Sequence, residues 1–516
     1  MKNRFKKILT VALAGILTVA TFAGCGGKQE EHPMLPDYSA NDEKFMFFCY
    51  GGLWNGEYKI VDSLGNETEV SYGDMRTVEK YKEHKECGFD MVMARDYDIM
   101  DPWEESSAKL IMDRAYEAGI TKCIVTDVEM RRMTESYDKL LGEGEEYMFQ
   151  TYEDLLARIK ECISVYKDHP AFFGINLRDE PNWRSHDSFE LVYKAIRQAE
   201  KELGMKEIYL HMNQLPLGAG GNPYSPEGMF DNLGDSFSYY VEEWLRRTGA
   251  NRISVDDYPY RGSGLISGYY NTLQTYRKMC DKYGADLTYV IQSIEAYSGE
   301  NQVYRAVDKA DMYQQLFGLI GFGVDHFAYY TYMPTGNYTA TGTMYTDNGS
   351  FLTREGEKTN IWYWGQEVLA DAQKFAPVAL SYDFKGSKFY LNQVVNHDNS
   401  VYLTTSGSAY GQTPMLYDNS YEHKYLKGIE MDNDAVLTTE MYDEENDLYM
   451  YMVQNAVDPG AGQNGRTEMN VTATFDSQFT WVAEYDCGNL TYVKLDNGVY
   501  KNLLSAGQQV FLIPLK

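Results

Sequence analysis

The feature that most constrains the fold is a strand–helix rhythm that begins near residue 44. Short apolar runs alternate with stretches of helical periodicity. Eight such runs occur, at Phe45–Tyr50, Phe89–Ala94, Lys122–Thr126, Phe172–Leu177, Ile208–Met212, Ile253–Val255, Leu287–Ile291 and Val324–Tyr330. Helices are predicted between them, for example over Thr151–Lys167, Ala306–Leu319 and Asn360–Ala372, and Asp187 with Glu190 resembles an N-cap pair opening another.

Eight strands that are each followed by a helix make up a (β/α)8 barrel. Near-continuous apolar strands fit a parallel sheet that is covered on both sides. We therefore predict an α/β chain with a (β/α)8 TIM barrel over residues 44–376. A doubly wound open sheet is the alternative, but such a sheet usually carries a nucleotide-binding loop, and the sequence has no Gly-rich phosphate loop.

Beyond residue 376 the helical periodicity fades and short alternating runs replace it. These runs are Lys388–Gln393, Val401–Thr404, Asp447–Gln454, Glu468–Phe475, Phe479–Tyr485 and Gln508–Ile513. Turn signals separate them, including Asn396-His397-Asp398-Asn399 and Asp496-Asn497-Gly498. We predict a C-terminal β-sandwich over residues 377–516.

The N-terminus is predicted to be a targeting segment. A basic stretch, Met1–Lys7, precedes an apolar stretch, Ile8–Ala20, that is too short to span a bilayer. The next residues, Phe22-Ala23-Gly24-Cys25, resemble a bacterial lipobox, which implies cleavage before Cys25 and a lipid on its thiol. The alternative is a simple secretory signal with an incidental cysteine. We expect a signal peptide over 1–24, a flexible tether over 25–43, and a protein anchored by lipid on the extracytoplasmic face of the cell membrane.

The net charge and the cysteine content limit the kinds of ligand that the protein is expected to bind. The formal charge of −29 argues against a nucleic-acid-binding surface. The 45 tyrosines suit neutral polyhydroxylated ligands, but an acidic, Tyr-rich surface also suits solubility alone. Six cysteines remain beyond Cys25, without a CxxC pair or metal-ligand spacing, and are expected to be buried free thiols. No metal or cofactor is predicted.

Polar and aromatic residues follow the carboxyl ends of all eight predicted strands, where the chemistry of a barrel lies. In chain order they are Tyr50 and Trp54; Arg95 and Asp96; Asp127 and Glu129; Arg178, Asp179 and Glu180; His211, Asn213 and Gln214; Asp256, Asp257, Tyr258 and Tyr260; Gln292, Glu295 and Tyr297; and His326, Tyr329, Tyr330 and Tyr332. Carboxylates ringed by aromatic rings suit sugar chemistry, because one acid protonates the glycosidic oxygen while a second carboxylate attacks or activates water.

The end of the fourth run, Asp179-Glu180-Pro181, resembles the Asn-Glu-Pro end of the same strand in clan A glycoside hydrolases. In that clan the Glu is the general acid/base, and a second Glu at the end of strand 7 is the nucleophile. The resemblance covers residues 44–376 and implies Glu180 as acid/base and Glu295 as nucleophile. Asn213, Asp257 and Gln292, in "YLHMNQLP", "SVDDYPY" and "YVIQSIEAY", resemble strand ends of bacterial barrels of this type.

Two departures from the clan pattern bear on mechanism. Asp179 stands where the clan usually has Asn, and a like charge beside Glu180 would raise the pKa of one member of the pair. Gln292 stands at about the depth where the nucleophile is expected, with Glu295 three residues on. If Gln292 occupies that position, the protein is an inverting enzyme that uses another carboxylate, Asp257 or Glu129, or it is not an enzyme.

We therefore predict a lipid-anchored, retaining glycoside hydrolase acting on an oligo- or polysaccharide. Its substrate-binding residues are predicted to be Asp179, Asn213, Asp257, Tyr258, Gln292, Trp183 and Tyr330. The alternative is a non-catalytic glycan-binding surface lipoprotein on a degenerate glycosidase barrel, and Gln292 is the residue that favours it. A weaker third hypothesis is a scaffold or adhesion role for the C-terminal sandwich.

Overall fold

The computed structural model describes residues 32–61, 67–219, 223–262, 264–265, 268–334, 343–391, 400–402, 416–433, 435–460 and 468–516. Its centre is a closed parallel barrel of eight strands, each paired with the next and the last with the first. The strands are β1 (Met46–Tyr50), β2 (Met91–Tyr97), β3 (Cys123–Asp127), β4 (Phe172–Asp179), β5 (Tyr209–Gln214), β6 (Arg252–Asp256), β7 (Asp286–Gln292) and β8 (His326–Tyr330). The predicted barrel is confirmed, and the open doubly wound sheet is excluded.

Nine α-helices surround this barrel in the described residues. They are α1 (Val78–Cys87), α2 (Ser107–Glu117), α3 (Val128–Glu135), α4 (Tyr152–Tyr166), α5 (His186–Glu202), α6 (Leu233–Thr248), α7 (Gly268–Tyr283), α8 (Lys309–Gly321) and α9 (Asn360–Ala379). Within the described residues, no helix combines the length and the apolar character that crossing a membrane requires.

Local signals set most of the helix starts. Thr151 and Asp154 form a reciprocal capping box at α4, and Asp308 and Asp311 do the same at α8. The predicted cap at Asp187 is wrong, because the chain enters α5 through a 3-10 turn and Ser185 takes the N-cap position. Asp187 lies in the first turn of α5.

The barrel interior is closed by one apolar layer below its mouth. This layer consists of Phe48, Met91, Met93, Ile124, Val290 and Ala328. Toward the carboxyl ends of the strands the inward side chains become polar. An example is the buried pair of Asn176 and Thr126, in which Asn176 Nδ2 donates to Thr126 Oγ1 at 3.3 Å. This apolar layer fills the barrel beneath the mouth, so ligands reach the mouth from the side of the loops.

The loops above the mouth assemble a second, five-stranded antiparallel sheet. Its strands run in the order Gly264–Leu265, Tyr260–Arg261, Asn301–Tyr304, Ala296–Ser298 and Thr343–Tyr345. We call this group the mouth sheet. It joins the loops that follow β6, β7 and β8, and it carries several of the tyrosines described below. Glu295 immediately precedes its strand Ala296–Ser298. A separate ribbon of Glu57–Val61 and Glu67–Ser71 follows β1.

The described part of the C-terminal region forms two large antiparallel sheets and a two-stranded one of Ser400–Tyr402 and Leu416–Asp418. The larger has the strand order Asp383–Leu391, Ala435–Asp443, Leu448–Asn455, Gln509–Leu515, Trp481–Asp486 and Asn489–Lys494, and the smaller has Leu426–Met431, Met469–Phe475 and Val499–Leu504. Apolar residues from both sheets, including Val453, Val471 and Leu512, form a core of their own. The predicted sandwich is confirmed. The predicted turn at Asn497-Gly498 is present with both φ angles positive, whereas Asn396–Asn399 lies outside the described residues.

The barrel and the C-terminal region share one apolar core. Phe511 of the larger sheet contacts Phe375 of α9, with ring centroids 4.7 Å apart, and Phe317 of α8 at 6.4 Å. A charged contact accompanies it, as Arg305 pairs with Asp458 at 2.7 Å. The described part of the predicted tether, residues 32–43, lies against this junction, where Asn41 Nδ2 donates to the Pro377 carbonyl at 3.1 Å. Cys25 lies outside the described residues.

Candidate active site

Glu180 lies at the carboxyl end of β4 in an unusual backbone conformation. The pairing of β4 with β5 shifts register between Asn176 and Arg178, and Glu180 then adopts a φ of 45°. A non-glycine residue in this region costs on the order of 1–3 kcal/mol, and such strain concentrates at functional sites. Neighbouring strands and helices hold the turn, because Glu180 N donates to the Asn213 carbonyl at 2.9 Å and Tyr240 Oη donates to the Pro181 carbonyl at 2.5 Å.

Three carboxyl groups meet at this point. Asp256 is the last residue of β6, and its pKa responds to the charges of both Glu180 and Asp179. Asn213 Nδ2 lies between Asp256 and Asp179, donating to Asp256 Oδ1 at 2.9 Å and to Asp179 Oδ1 at 3.0 Å. Asn213 Oδ1 accepts from Ser254 Oγ at 3.2 Å. Both polar atoms of the buried Asn213 amide are thus hydrogen-bonded, and the amide holds the Asp179 and Asp256 carboxyl groups in place.

The burial and the charges of this cluster favour protonated carboxyl groups. Removal from bulk water, with the charge of Asp179, raises the pKa of Glu180 to about 7. Glu180 still reaches solvent, as its residue is exposed at the mouth. Burial and the charges of Glu180 and Asp179 raise the pKa of Asp256 well above its ordinary value. An acid with a pKa near 7 is suited to donating a proton at neutral pH.

A wall of tyrosines stands beside the carboxyl groups. Tyr258 stacks on Tyr330, with ring centroids 5.7 Å apart and 22° between the planes. Tyr304 meets Tyr258 edge-on at 5.7 Å, and Tyr345 meets Tyr330 edge-on at 6.2 Å. The wall adjoins the carboxyl groups, because Tyr258 follows Asp256 by two residues and its pKa is raised by burial and by the charge of Asp256. All four rings are half-buried, which leaves surface for a ligand.

Glu295 immediately precedes the mouth-sheet strand Ala296–Ser298, and residues of that sheet or next to it hold its carboxylate. Its Oε1 accepts from Tyr297 Oη at 3.1 Å and from Gln302 Nε2 at 3.0 Å, and its Oε2 accepts from Thr346 Oγ1 at 2.5 Å. The predicted acid and the predicted nucleophile are thus held by separate groups of partners. The tyrosine wall lies between these two groups. On one side Tyr345 pairs with Ala296, the residue after Glu295. On the other side Tyr345 is near enough to Glu180 for that charge to add to the effect of burial, which raises the pKa of Tyr345.

Gln292 is fully buried, and its side-chain amide is hydrogen-bonded to backbone groups. Its Oε1 accepts from Tyr260 N at 2.8 Å, and its Nε2 donates to the carbonyls of Tyr260 at 3.0 Å and Arg305 at 3.1 Å. Gln292 therefore fastens the loops after β6 and β7 to each other. This arrangement gives it a structural task at the end of β7, where the sequence placed the nucleophile or a substrate contact.

Asp257 and Asp256 have different surroundings although they are adjacent. Asp257 is fully buried, and burial raises its pKa to about 6. Asp256, which the sequence analysis named at the strand end but gave no role, accepts a hydrogen bond from Asn213 Nδ2. The run that predicted β6 ended at Val255, one residue short of Asp256. The remaining predicted ligand residue, Trp183, is half-buried against the barrel core, with the Arg184 guanidinium 5.8 Å from its ring.

Neither a scan against protein-family models nor a search of curated proteins found a match to this chain. Solved structures similar to it are glycoside hydrolases. One, described only as a glycoside hydrolase, is 12% identical, covers 91% of this chain and 98% of its own, and has a TM-score of 0.44. A GH30 endoxylanase from Clostridium papyrosolvens is 10% identical, covering 92% of this chain and 97% of its own at a TM-score of 0.39. An endo-β-1,4-mannanase from Thermotoga petrophila is 11% identical, covering 89% and 98% at 0.38.

The function of this chain must be argued from its own site. Among the described residues, no group of three or more His, Cys, Asp or Glu side chains is arranged to hold a metal ion. The mouth offers Glu180, whose pKa is raised to about 7, the neighbouring carboxyl groups of Asp179 and Asp256, and an aromatic wall. This combination can bind a sugar ring and protonate an oxygen atom bound to it.

Proposed function

We propose that the protein is a glycoside hydrolase that acts on an oligo- or polysaccharide, with Glu180 as the acid that protonates the leaving glycosidic oxygen. The observation that carries the proposal is the position of Glu180 directly after β4, next to Asp179, which Asn213 links to Asp256 beside the stacked rings of Tyr258 and Tyr330. A neutral-pH general acid needs a carboxyl group that keeps its proton near pH 7, and the surroundings of Glu180 favour that.

In this mechanism Tyr258 and Tyr330 stack on the sugar and Asp179 holds a ring hydroxyl. Glu180 donates its proton as the bond between the anomeric carbon and the leaving oxygen breaks. Glu295 attacks the anomeric carbon from the mouth sheet in a retaining reaction, and Glu180 then takes a proton from the water that releases the sugar. The three donors on the Glu295 carboxylate support this assignment because they fix its orientation.

The test is hydrolysis of a panel of oligosaccharides and aryl glycosides by wild-type protein and the Glu180→Gln variant. We expect Glu180→Gln to lose about 10²–10⁴-fold in kcat, the usual contribution of a general acid, while glycan binding persists. Glu161→Gln, which changes an exposed carboxylate on α4, serves as the matched control. Equal turnover by Glu180→Gln and wild type would refute the assignment of Glu180.

The second candidate function is non-catalytic glycan binding. The observation that favours it is Gln292, whose amide is tied to the backbone at the end of β7, where the resemblance implies a carboxylate. In that case, wild type and Glu180→Gln would bind the same glycans, and neither would release sugar after long incubation.

The proposal also places the enzyme on the extracytoplasmic face of the membrane, held by lipid on Cys25. The lipobox-like stretch before Cys25 supports this placement. We expect wild-type protein expressed in a bacterial host to sediment with membranes and to carry the mass of a diacylglyceryl group. Cys25→Ser should abolish both, with Cys487→Ser as the control. A membrane-bound, lipid-bearing Cys25→Ser protein would contradict the anchor.

A further inference from the structure

We propose that Asp458, in the C-terminal region, is a positioning residue for the tyrosine wall, so that the C-terminal region completes the sugar-binding face of the barrel mouth. Asp458 lies on the loop that follows the strand Leu448–Asn455. The inference rests on the proposed function and deepens it, because it gives the C-terminal region a part in substrate binding at the same site.

Asp458 connects two separate segments of the mouth sheet. One of its carboxylate oxygens accepts from Arg305 Nη2 at 2.7 Å, and the other accepts from the backbone N–H of Leu265 at 3.0 Å. Leu265 belongs to the edge strand of the mouth sheet, and Arg305 directly follows the strand Asn301–Tyr304. A single carboxylate of the C-terminal region thus holds both the loop after β6 and the loop after β7.

Arg305 links Asp458 to two residues of the tyrosine wall. Tyr304, the residue before Arg305, meets Tyr258 edge-on at 5.7 Å. Arg305 N donates to the Tyr260 carbonyl at 3.2 Å, and the guanidinium lies 4.5 Å from the centre of the Tyr260 ring. Tyr260 follows Tyr258 by two residues. Arg305 therefore fixes both of the chain segments that present Tyr258 and Tyr304.

The charge of Arg305 is already balanced within the barrel. Asp311 of α8 is fully buried and accepts from both terminal nitrogens of Arg305, at 2.5 and 2.7 Å. Asp458 is a second carboxylate on the same guanidinium, and its side chain is only 12% exposed. Burying a second carboxylate costs desolvation and charge repulsion that the first ion pair does not require. What Asp458 adds is the bond to Leu265, on a different chain segment.

The loop that carries Asp458 is itself held against α8. Gln314 Nε2 donates to the Val457 carbonyl at 3.2 Å, and Gln454 Nε2 donates to the Gln314 carbonyl at 3.1 Å. Within the loop, Gly460 N donates to Asp458 Oδ1 at 2.9 Å. The packing of the C-terminal region on α8 thus places the Asp458 carboxylate, and a binding site keeps its geometry when the residues behind it are fixed in this way.

Hydrogen exchange tests the link without a substrate. In Asp458→Ala, Leu265 and Arg305 lose a charged partner, so peptides containing either residue should exchange at least about tenfold faster, the effect of losing a hydrogen bond to a charged group. Asp458→Asn keeps the size of the side chain and one acceptor oxygen, so it should fold even where the alanine variant does not and should give a smaller increase. Unchanged exchange in both variants would overturn the inference.

The matched control is Asp418→Ala. Asp418 also joins the C-terminal region to the barrel, but its ion pair is with Lys278 of α7, on the outer surface. We expect Asp418→Ala to leave both peptides and the hydrolysis kinetics at wild-type values. If it accelerated exchange in these peptides as much as Asp458→Ala, the effect would come from looser packing of the two regions, and the inference would be overturned.

Substrate kinetics separate positioning of the wall from a purely structural role. The wall binds the sugar in the ground state and in the transition state alike, so its displacement should weaken both. We expect Asp458→Asn to raise KM about three- to tenfold and to keep kcat within about twofold of wild type, whereas Glu180→Gln lowers kcat. A wild-type KM in a variant whose peptides exchange faster would contradict the role in substrate binding.

These readouts also separate this inference from the proposed function. If wild-type protein hydrolyses glycans and Asp458→Asn has the wild-type KM and exchange, the hydrolase stands and the inference fails. If wild-type protein binds glycans without hydrolysing them, the hydrolase fails, and the dissociation constant takes the place of KM. Weaker binding by Asp458→Asn would then support the inference, and unchanged binding would overturn it.

Discussion

At the scale of single residues, the site depends on which of two adjacent aspartates faces the barrel axis. The sequence "SVDDYPY" offered Asp256 and Asp257, and side chains alternate sides along a strand, so a one-residue difference in register exchanges the two. Glu180 could be located from Asp179-Glu180-Pro181 because that turn has a local signature. The hydrogen bonds by which Asn213 links Asp179 and Asp256 join side chains from three different strands, and no local pattern encodes them.

Gln292 gives a residue-scale prediction that separates a structural glutamine from a lost nucleophile. Gln292→Glu should lower the free energy of unfolding by about 3–5 kcal/mol. One carboxylate oxygen would keep the Tyr260 N–H, but the other would face the Tyr260 and Arg305 carbonyls, to which the amide now donates. Gln478→Glu, at an exposed position, is the control. Chemical denaturation measures both. A stable Gln292→Glu protein that gains hydrolytic activity would show instead that this position is the nucleophile site.

At the scale of elements, strand and helix identities followed from periodicity, whereas the mouth sheet did not. Each barrel strand was predicted within a few residues, because each is a continuous apolar run that is buried on both faces. The mouth sheet is built from two- to four-residue strands in the loops after three different barrel strands. Such short segments carry little periodicity, and their pairing is decided by where the barrel brings the loops together.

The mouth sheet supplies the element-scale prediction. A Cβ added at Gly349 would lie 1.9 Å from Glu295 N, against backbone atoms that cannot yield. Gly349→Ala should therefore displace the Glu295 segment, destabilise the fold by about 1–3 kcal/mol, and reduce kcat more than glycan binding. Gly428→Ala, where a Cβ meets open space, is the matched control, with turnover and thermal unfolding as readouts. If Gly349→Ala hydrolysed substrate at the wild-type rate, the assignment of Glu295 as the nucleophile would be contradicted.

At the scale of the whole molecule, the architecture changes from a barrel to antiparallel sheets near residue 376, and the two regions share one apolar core. The sequence indicated that boundary through the loss of helical periodicity. It did not indicate that α8 and α9 bury their outer faces under the larger C-terminal sheet. That contact is made by residues such as Phe317, Phe375 and Phe511, each of which would also be expected in the core of a separate domain.

The shared core predicts the behaviour of a truncated chain. Deletion of residues 383–516 should expose the apolar faces of α8 and α9 and give aggregated barrel, whereas the full-length protein should unfold in a single calorimetric transition. The control is deletion of residues 1–31 alone, the predicted signal peptide and the first part of the predicted tether. A truncated barrel that is monomeric and unfolds cooperatively near the wild-type temperature would show that the two regions are independent.

The measurement that tests the central claim most directly is mass spectrometry of glycans incubated with wild-type protein in ¹⁸O-labelled water. A hydrolase breaks a glycosidic bond and adds water across it, so each new reducing end should carry one ¹⁸O atom, and the Glu180→Gln protein should produce almost none. Glycans that bind the wild-type protein yet leave at full length and without ¹⁸O, across the whole panel, would contradict the account and identify the barrel as a binding protein.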